Sequence, residues 1–196
     1  AIGLLIQHIS KFFRLSLKLL GCLLAAQLTF DLPPDIVEAL LAEQPRIIGF
    51  GVYIWNVVET TQVVALLKRI QPDLYIVLGG PEVSHEWDEQ PLVAMADYLI
   101  TGQADLTFAR LCRQLLEGNP PATRVLAADP PPLDQLTLPY WFYTDEDIAH
   151  RLIYVEASRG CPFRCEFCLS ALDKTAWPFP LEPFLAELDL LYQRGV

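Results

Sequence analysis

The chain has 196 residues, enough for one generous domain or for one domain and part of another. Hydrophobic residues make up 53% and charged residues 19%, a balance that supplies a large core and excludes a disordered chain. A net charge of −10 excludes a general nucleic-acid surface, which needs clustered Lys and Arg, although a local basic patch stays open.

Residues 4–20 place apolar side chains at helical spacing (Leu4, Leu5, Ile9, Phe12, Phe13, Leu15, Leu19), and Leu23 to Phe30 reads as a strand. The longest uncharged run here, Leu19 to Phe30, has twelve residues, too few to span a bilayer. Leu19-Leu20-Gly21-Cys22 superficially resembles a lipoprotein cleavage box, but Arg14 and Lys18 interrupt the apolar stretch before it. The expectation is buried core with no membrane span.

Pro33-Pro34-Asp35 opens a helix that runs to Gln44 and stops before Pro45. Arg46 to Val52 is a short apolar run, as in a strand covered on both faces. A helix is predicted from Val57 to Ile70, and a strand from Leu74 to Leu78 that ends in Gly79-Gly80-Pro81. A weaker helix at Gln90–Ala96, the strand Tyr98–Gly102 and the helix Ala104–Leu116 complete the series. Alternating helices and buried strands predict an α/β fold, a doubly wound parallel sheet of Rossmann-like type. Ligands on such sheets bind beyond the carboxyl ends of the strands, which here carry Gly49, Gly51, Gly79, Gly80 and Gly102. These glycines either let backbone approach a ligand closely or simply end the strands.

Six prolines between 119 and 139 mark a linker. Leu152 to Ala157 then reads as a strand and Pro183 to Tyr192 as a helix. The predicted organisation is an α/β domain over 1–118, a Pro-rich connecting segment over 119–150, and the start of a second domain over 151–196. One strand–loop–helix unit cannot close a barrel, so that second domain reads as incomplete.

Cys161, Cys165 and Cys168 lie in the run Arg159-Gly160-Cys161-Pro162-Phe163-Arg164-Cys165-Glu166-Phe167-Cys168. Three thiolates so close can each hold one iron of a cubane cluster and leave the fourth iron open to a substrate. Structural zinc wants four closed ligands, and the remaining cysteines, Cys22 and Cys112, are far away in sequence. His150 is a poor fourth ligand across a predicted strand, a ferredoxin-type cluster takes four cysteines, and an odd cysteine count argues against disulfides. The open cluster is the favoured reading, with a zinc loop as its alternative. Thiols kept free for metal point to a reducing compartment, so the cytoplasm is the expected location.

The Cys-x-x-x-Cys-x-x-Cys spacing with an aromatic residue before the last cysteine resembles the radical S-adenosylmethionine (SAM) family. The region from Asp35 to Leu116 is similar to the N-terminal domain of the cobalamin-binding members of that family. The matching runs are Ile47-Ile48-Gly49-Phe50-Gly51-Val52, Val77-Leu78-Gly79-Gly80-Pro81 and Asp97-Tyr98-Leu99-Ile100-Thr101-Gly102. The last departs from the family where Gln103-Ala104-Asp105 stands in place of Glu-Gly-Glu.

The resemblance implies that Cys161, Cys165 and Cys168 hold a 4Fe–4S cluster whose open iron chelates SAM. It implies reductive cleavage to a 5′-deoxyadenosyl radical and, with cobalamin, methyl transfer to an unactivated carbon of a small-molecule substrate. An electron donor such as a ferredoxin or flavodoxin is implied with it. Gly79, Gly80 and Gly102 would border the nucleotide tail of the corrinoid. Phe167 would sit beside the cluster and the adenine, or act as a small plug over the cluster. Arg159 or Arg164 would offset the anionic thiolates or lie solvated. Against the family the chain reads as truncated at both ends, so the lower cobalt ligand is not defined. His8 and His85 are ligands only by default. The rival readings are cobalamin chemistry other than methylation, a non-catalytic corrinoid and iron–sulfur binding module, and a nucleotide-binding α/β domain with a zinc loop.

Overall fold

The computed structural model of the chain describes residues 23–26, 32–163, 165–168 and 175–196. The helix expected over 4–20 lies outside them. After β1 (Leu23–Ala26) comes α1 (Pro33–Ala42), whose two leading prolines fall in the first turn, where a missing N–H costs nothing. β2 (Ile47–Gly51) is buried at every position, as its unbroken apolar sequence requires. α2 (Val57–Ile70), β3 (Tyr75–Gly79), the short α3 (Pro91–Met95), β4 (Tyr98–Gly102), α4 (Asp105–Leu116) and β5 (Val125–Ala128) follow.

The strands form one parallel sheet in the order β1-β2-β3-β4-β5. Side chains alternate across it. Ile48, Phe50, Ile76, Leu78 and Leu99 face Val37 and Leu40 of α1 and Val63, Val64 and Leu67 of α2. Ile47, Val77, Tyr98 and Ile100 face Leu111, Cys112 and Leu115 of α4. Helices therefore cover both faces, as a doubly wound sheet demands. The strand order runs straight among the described strands, so they contain no switch-point crevice.

A half-buried charge cluster ties α2 to the sheet. Lys68 Nζ lies 2.7 Å from Asp97 Oδ2, and the Ile76 N–H donates to the same oxygen at 2.7 Å. Lys68 also donates to the Pro72 and Leu74 carbonyls. Asp97→Ala strands the Ile76 donor and is expected to cost about 2 kcal/mol, read as a lower urea midpoint with an unchanged slope.

The chain divides into two compact units between Pro130 and Pro131. The stretch predicted as a linker is divided with it. β5 completes the sheet, while residues 131–150 belong to the C-terminal unit. That unit contains single 3₁₀ turns at Leu133–Gln135 and Tyr140–Phe142, α5 (Asp145–His150), an antiparallel pair β6 (Ser158–Arg159) and β7 (Trp177–Pro178), and α6 (Leu181–Gln193). Its core is Leu133, Leu138, Tyr140, Tyr143, Phe179 and Leu191.

The strand expected at Leu152–Ala157 does not form a ladder. The Tyr143 hydroxyl accepts from the Tyr154 N–H at 3.1 Å and donates to the Tyr154 carbonyl at 2.9 Å. The Tyr140 hydroxyl does the same for Glu156, at 2.6 and 3.1 Å. Two side chains thus stand where a neighbouring strand would be. Among the described residues no helix is long and apolar enough to cross a membrane.

Candidate functional site

Backbone geometry shapes the carboxyl rim of the sheet. Gly80 has φ +110°, and a Cβ there would stand 2.5 Å from the Val52 carbonyl oxygen and 2.8 Å from the Val52 nitrogen. Gly102, at φ +79°, would bring a Cβ within 2.7 Å of the Ala128 oxygen. At Gly79 the nearest atom, the Ile100 oxygen, is an ordinary 3.5 Å away. The chain's own backbone therefore accounts for glycine at 80 and 102, and leaves Gly79 without a structural requirement.

Ser84 joins two of these positions. Its hydroxyl donates to the Gly80 carbonyl at 2.8 Å and accepts from the Gly102 N–H at 3.2 Å. Nothing in the sequence singles out Ser84, because the contact exists only once β4 lies beside the turn after β3. His85, next to it, is exposed at the same rim. His8 lies outside the described residues.

The loop between β2 and α2 is closed by Asn56, whose amide donates to the Gly51 carbonyl at 3.0 Å and accepts from the Tyr53 N–H at 2.8 Å. This short clamp throws the loop tip outward, leaving Ile54 77% and Trp55 67% exposed. Trp55 stacks on Tyr53 with ring centroids 4.5 Å apart. The Tyr53 hydroxyl is buried with no hydrogen-bond partner among the described residues, and burial pushes it up to about 12. Exposed Ile54 and Trp55 give the loop tip an apolar face. An apolar pair at a strand's carboxyl end was the available sequence signal, Ile54-Trp55 following Gly51-Val52-Tyr53.

The cysteines lie on the loop between β6 and β7. Gly160, at φ +80°, turns the chain out of β6 immediately before Cys161. Cys161 is half-buried, Cys165 and Cys168 are exposed, and all three are free thiols. The Cys168 N–H donates to the Cys165 carbonyl at 3.2 Å, which curls the last turn of the loop. Among the described residues no group of three His, Cys, Asp or Glu is gathered tightly enough to hold a metal ion, so the thiols share a loop without converging. Phe167 is 94% exposed. Arg159 is not solvated; it pairs with Glu156. Arg164 lies outside the described residues.

Exposure separates the cysteines chemically. Cys112 is buried under the sheet, and burial pushes its thiol up to about 12, so at pH 8 it stays protonated. Iodoacetamide at that pH is expected to alkylate Cys161, Cys165 and Cys168 and to spare Cys112 until denaturant is added, as mass spectrometry of digests will show.

Comparison with known proteins bears directly on the rim. The family model of the B12 binding domain matches residues 13–112. An uncharacterized methyltransferase of Pyrococcus horikoshii is 26% identical over 200 aligned positions, covering 88% of this chain and 42% of that protein. An uncharacterized methyltransferase of Synechocystis is 34% identical over 122 residues, 61% of this chain and 22% of its own length. The cobalamin-dependent radical SAM methyltransferase TokK of Streptomyces tokunonensis is 26% identical over 152 residues, 64% of this chain and 22% of that enzyme. The chain spans less than half the length of each of these relatives. The family match reaches from before β1 to Cys112 of α4, just over half of the chain, and on that extent the chain belongs to the B12-binding domain family.

Proposed function

We propose that this chain is the corrinoid- and cluster-binding portion of a cobalamin-dependent radical SAM methyltransferase. One observation carries the reading: three free thiols share a single loop, Cys161 to Cys168, in a chain whose sheet belongs to the B12-binding family. The donor set suits iron, because thiolates are its usual cluster ligands and three of them leave one iron open. The names of the relatives support methyl transfer as the outcome.

When bound, the cluster and SAM supply an organic radical, and the corrinoid supplies a methyl group. The protein's share is placement. Asn56 holds the β2–α2 loop so that Ile54 and Trp55 would offer an apolar floor to the corrinoid. Ser84 links Gly80 and Gly102, the two turns that would border the tail of the ligand. Cys161, Cys165 and Cys168 would hold the cluster, with Phe167, next to Cys168 in the chain, beside it.

Anaerobic loading with iron, sulfide and hydroxocobalamin tests the reading. The expected result is about four irons and one corrinoid per chain, with an EPR signal of the reduced cluster that changes when SAM is added. Bound zinc without a response to SAM would leave an α/β domain with a zinc loop. Trp55→Ala is expected to weaken corrinoid binding by about tenfold or more without lowering the melting temperature, since Trp55 is mostly exposed.

A further inference from the structure

The neck of the cysteine loop is short on backbone support. β6 and β7 are two residues each, paired Ser158 with Pro178 and Arg159 with Trp177, and a proline donates no hydrogen bond. The Phe179 N–H donates to the Ala157 carbonyl at 3.0 Å, one step further down. Side chains supply the rest. Arg159 Nε lies 3.3 and 3.2 Å from the two Glu156 carboxylate oxygens, and its Nη2 lies 3.3 Å from Oε2. The pair is sheltered, with side-chain exposures of 9% for Arg159 and 16% for Glu156. The guanidinium also stands 5.8 Å from the centroid of the Phe179 ring, on the far side of the neck. Glu156 is itself pinned at both backbone groups by the Tyr140 hydroxyl. Each of these links runs from the folded unit to Arg159, and the chain then passes through Gly160 to Cys161.

We propose that Glu156, Arg159 and Phe179 are positioning residues for the iron–sulfur cluster, a lock at the loop neck that fixes the direction in which Cys161 leaves the chain. The proposal rests on the cluster reading above. The lock has an electrostatic side as well. Arg159 stands two residues from Cys161, and its guanidinium is paired with Glu156 inside the neck. A fork-shaped guanidinium is required, because it meets a carboxylate through two nitrogens and an aromatic face at the same time, which an ammonium cannot do.

The test uses the whole chain, loaded anaerobically with iron and sulfide, as wild type and as Glu156→Gln, Arg159→Lys and Phe179→Leu. Iron content, release of iron to a ferrous chelator and the cluster's midpoint potential are measured beside a melting curve for each. All three variants are expected to load a cluster and to lose it about tenfold faster than wild type, the scale of lost outer support at a metal site. Glu156→Gln is further expected to raise the potential, because removing the carboxylate's negative charge near the cluster favours the added electron. Arg159→Lys, which keeps the charge and loses the fork, is expected to speed release with little change in potential. A purely structural role would move the melting curve and leave the potential of Glu156→Gln where it was. Release rates and potentials equal to wild type in folded variants would overturn the proposal. Should Glu156→Gln fail to fold, Arg159→Lys decides through its release rate. A wild-type chain that takes up no iron–sulfur cluster would instead overturn the cluster reading, and this proposal with it.

Discussion

Gly80→Ala is expected to destabilise the sheet by about 3 kcal/mol and to abolish corrinoid retention, as read by urea unfolding and by gel filtration of the loaded chain. Two costs combine. The residue sits at φ +110°, a conformation L side chains rarely adopt. Its Cβ would also meet the Val52 backbone at 2.5 Å, and that backbone has no freedom to retreat. The Val52 N–H donates to the Gly79 carbonyl at 2.7 Å, and the Val52 carbonyl accepts from the Glu82 N–H at 3.3 Å. Relieving the clash therefore parts β2 from β3 at the rim, where Gly51 pairs with Gly79. Gly102→Ala is expected to cost less, because φ +79° lies nearer the left-handed helical region. Gly79→Ala is expected to leave the fold nearly unchanged. If Gly79→Ala alone weakens corrinoid binding, a ligand contact is separated from a structural glycine; if it binds as wild type does, Gly79 is only a strand end.

Cys165→Ala is expected to reduce iron from about four per chain to nearly none, while the melting temperature stays within a degree or two. The thiol is exposed and free, so its removal opens no cavity and breaks no covalent link. Cys112→Ala provides the opposite result: iron unchanged, stability lower by about 1–2 kcal/mol, because Cys112 is packed against the sheet beside Leu111 and Leu115. Iron in Cys165→Ala equal to wild type would remove the three-thiolate site from consideration. The paired substitutions distinguish a ligand from a core residue of the same chemistry.

β2, β3 and β4 were readable because they are continuous apolar runs ended by glycine, whereas β5 lies within the stretch expected to be a linker. Tyr98–Gly102 falls where the sequence places it, and β2 and β3 differ from expectation by a residue at their ends. The α/β class follows from that pattern, and the corrinoid family came from the resemblance of the three glycine-containing runs. Contacts across long sequence separations were not readable. Ser84 acquires its role from Gly102, eighteen positions away, and no local pattern marks it. The segment Leu152–Ala157 has strand-like composition, but composition cannot say that tyrosine hydroxyls will take the place of a neighbour. Arg159 illustrates the same limit at short range. Its nearness to Cys161 suggested compensation of the thiolates, whereas the fold turns it back to Glu156.

The two tyrosines have a consequence for solubility. An extended apolar segment with bare N–H and C=O groups along one edge is a template on which a second molecule can add a strand and start an aggregate. Leu152, Tyr154 and Val155 are exposed and would suit such a contact. Tyr143 and Tyr140 cap the N–H and C=O of Tyr154 and Glu156, alternate residues that point to the same edge. Each hydroxyl answers a donor and an acceptor at once, which no single main-chain group of an incoming strand does. The phenols thus act as gatekeepers against self-association, and Tyr140→Phe with Tyr143→Phe uncovers an adhesive edge while leaving the rings in the core.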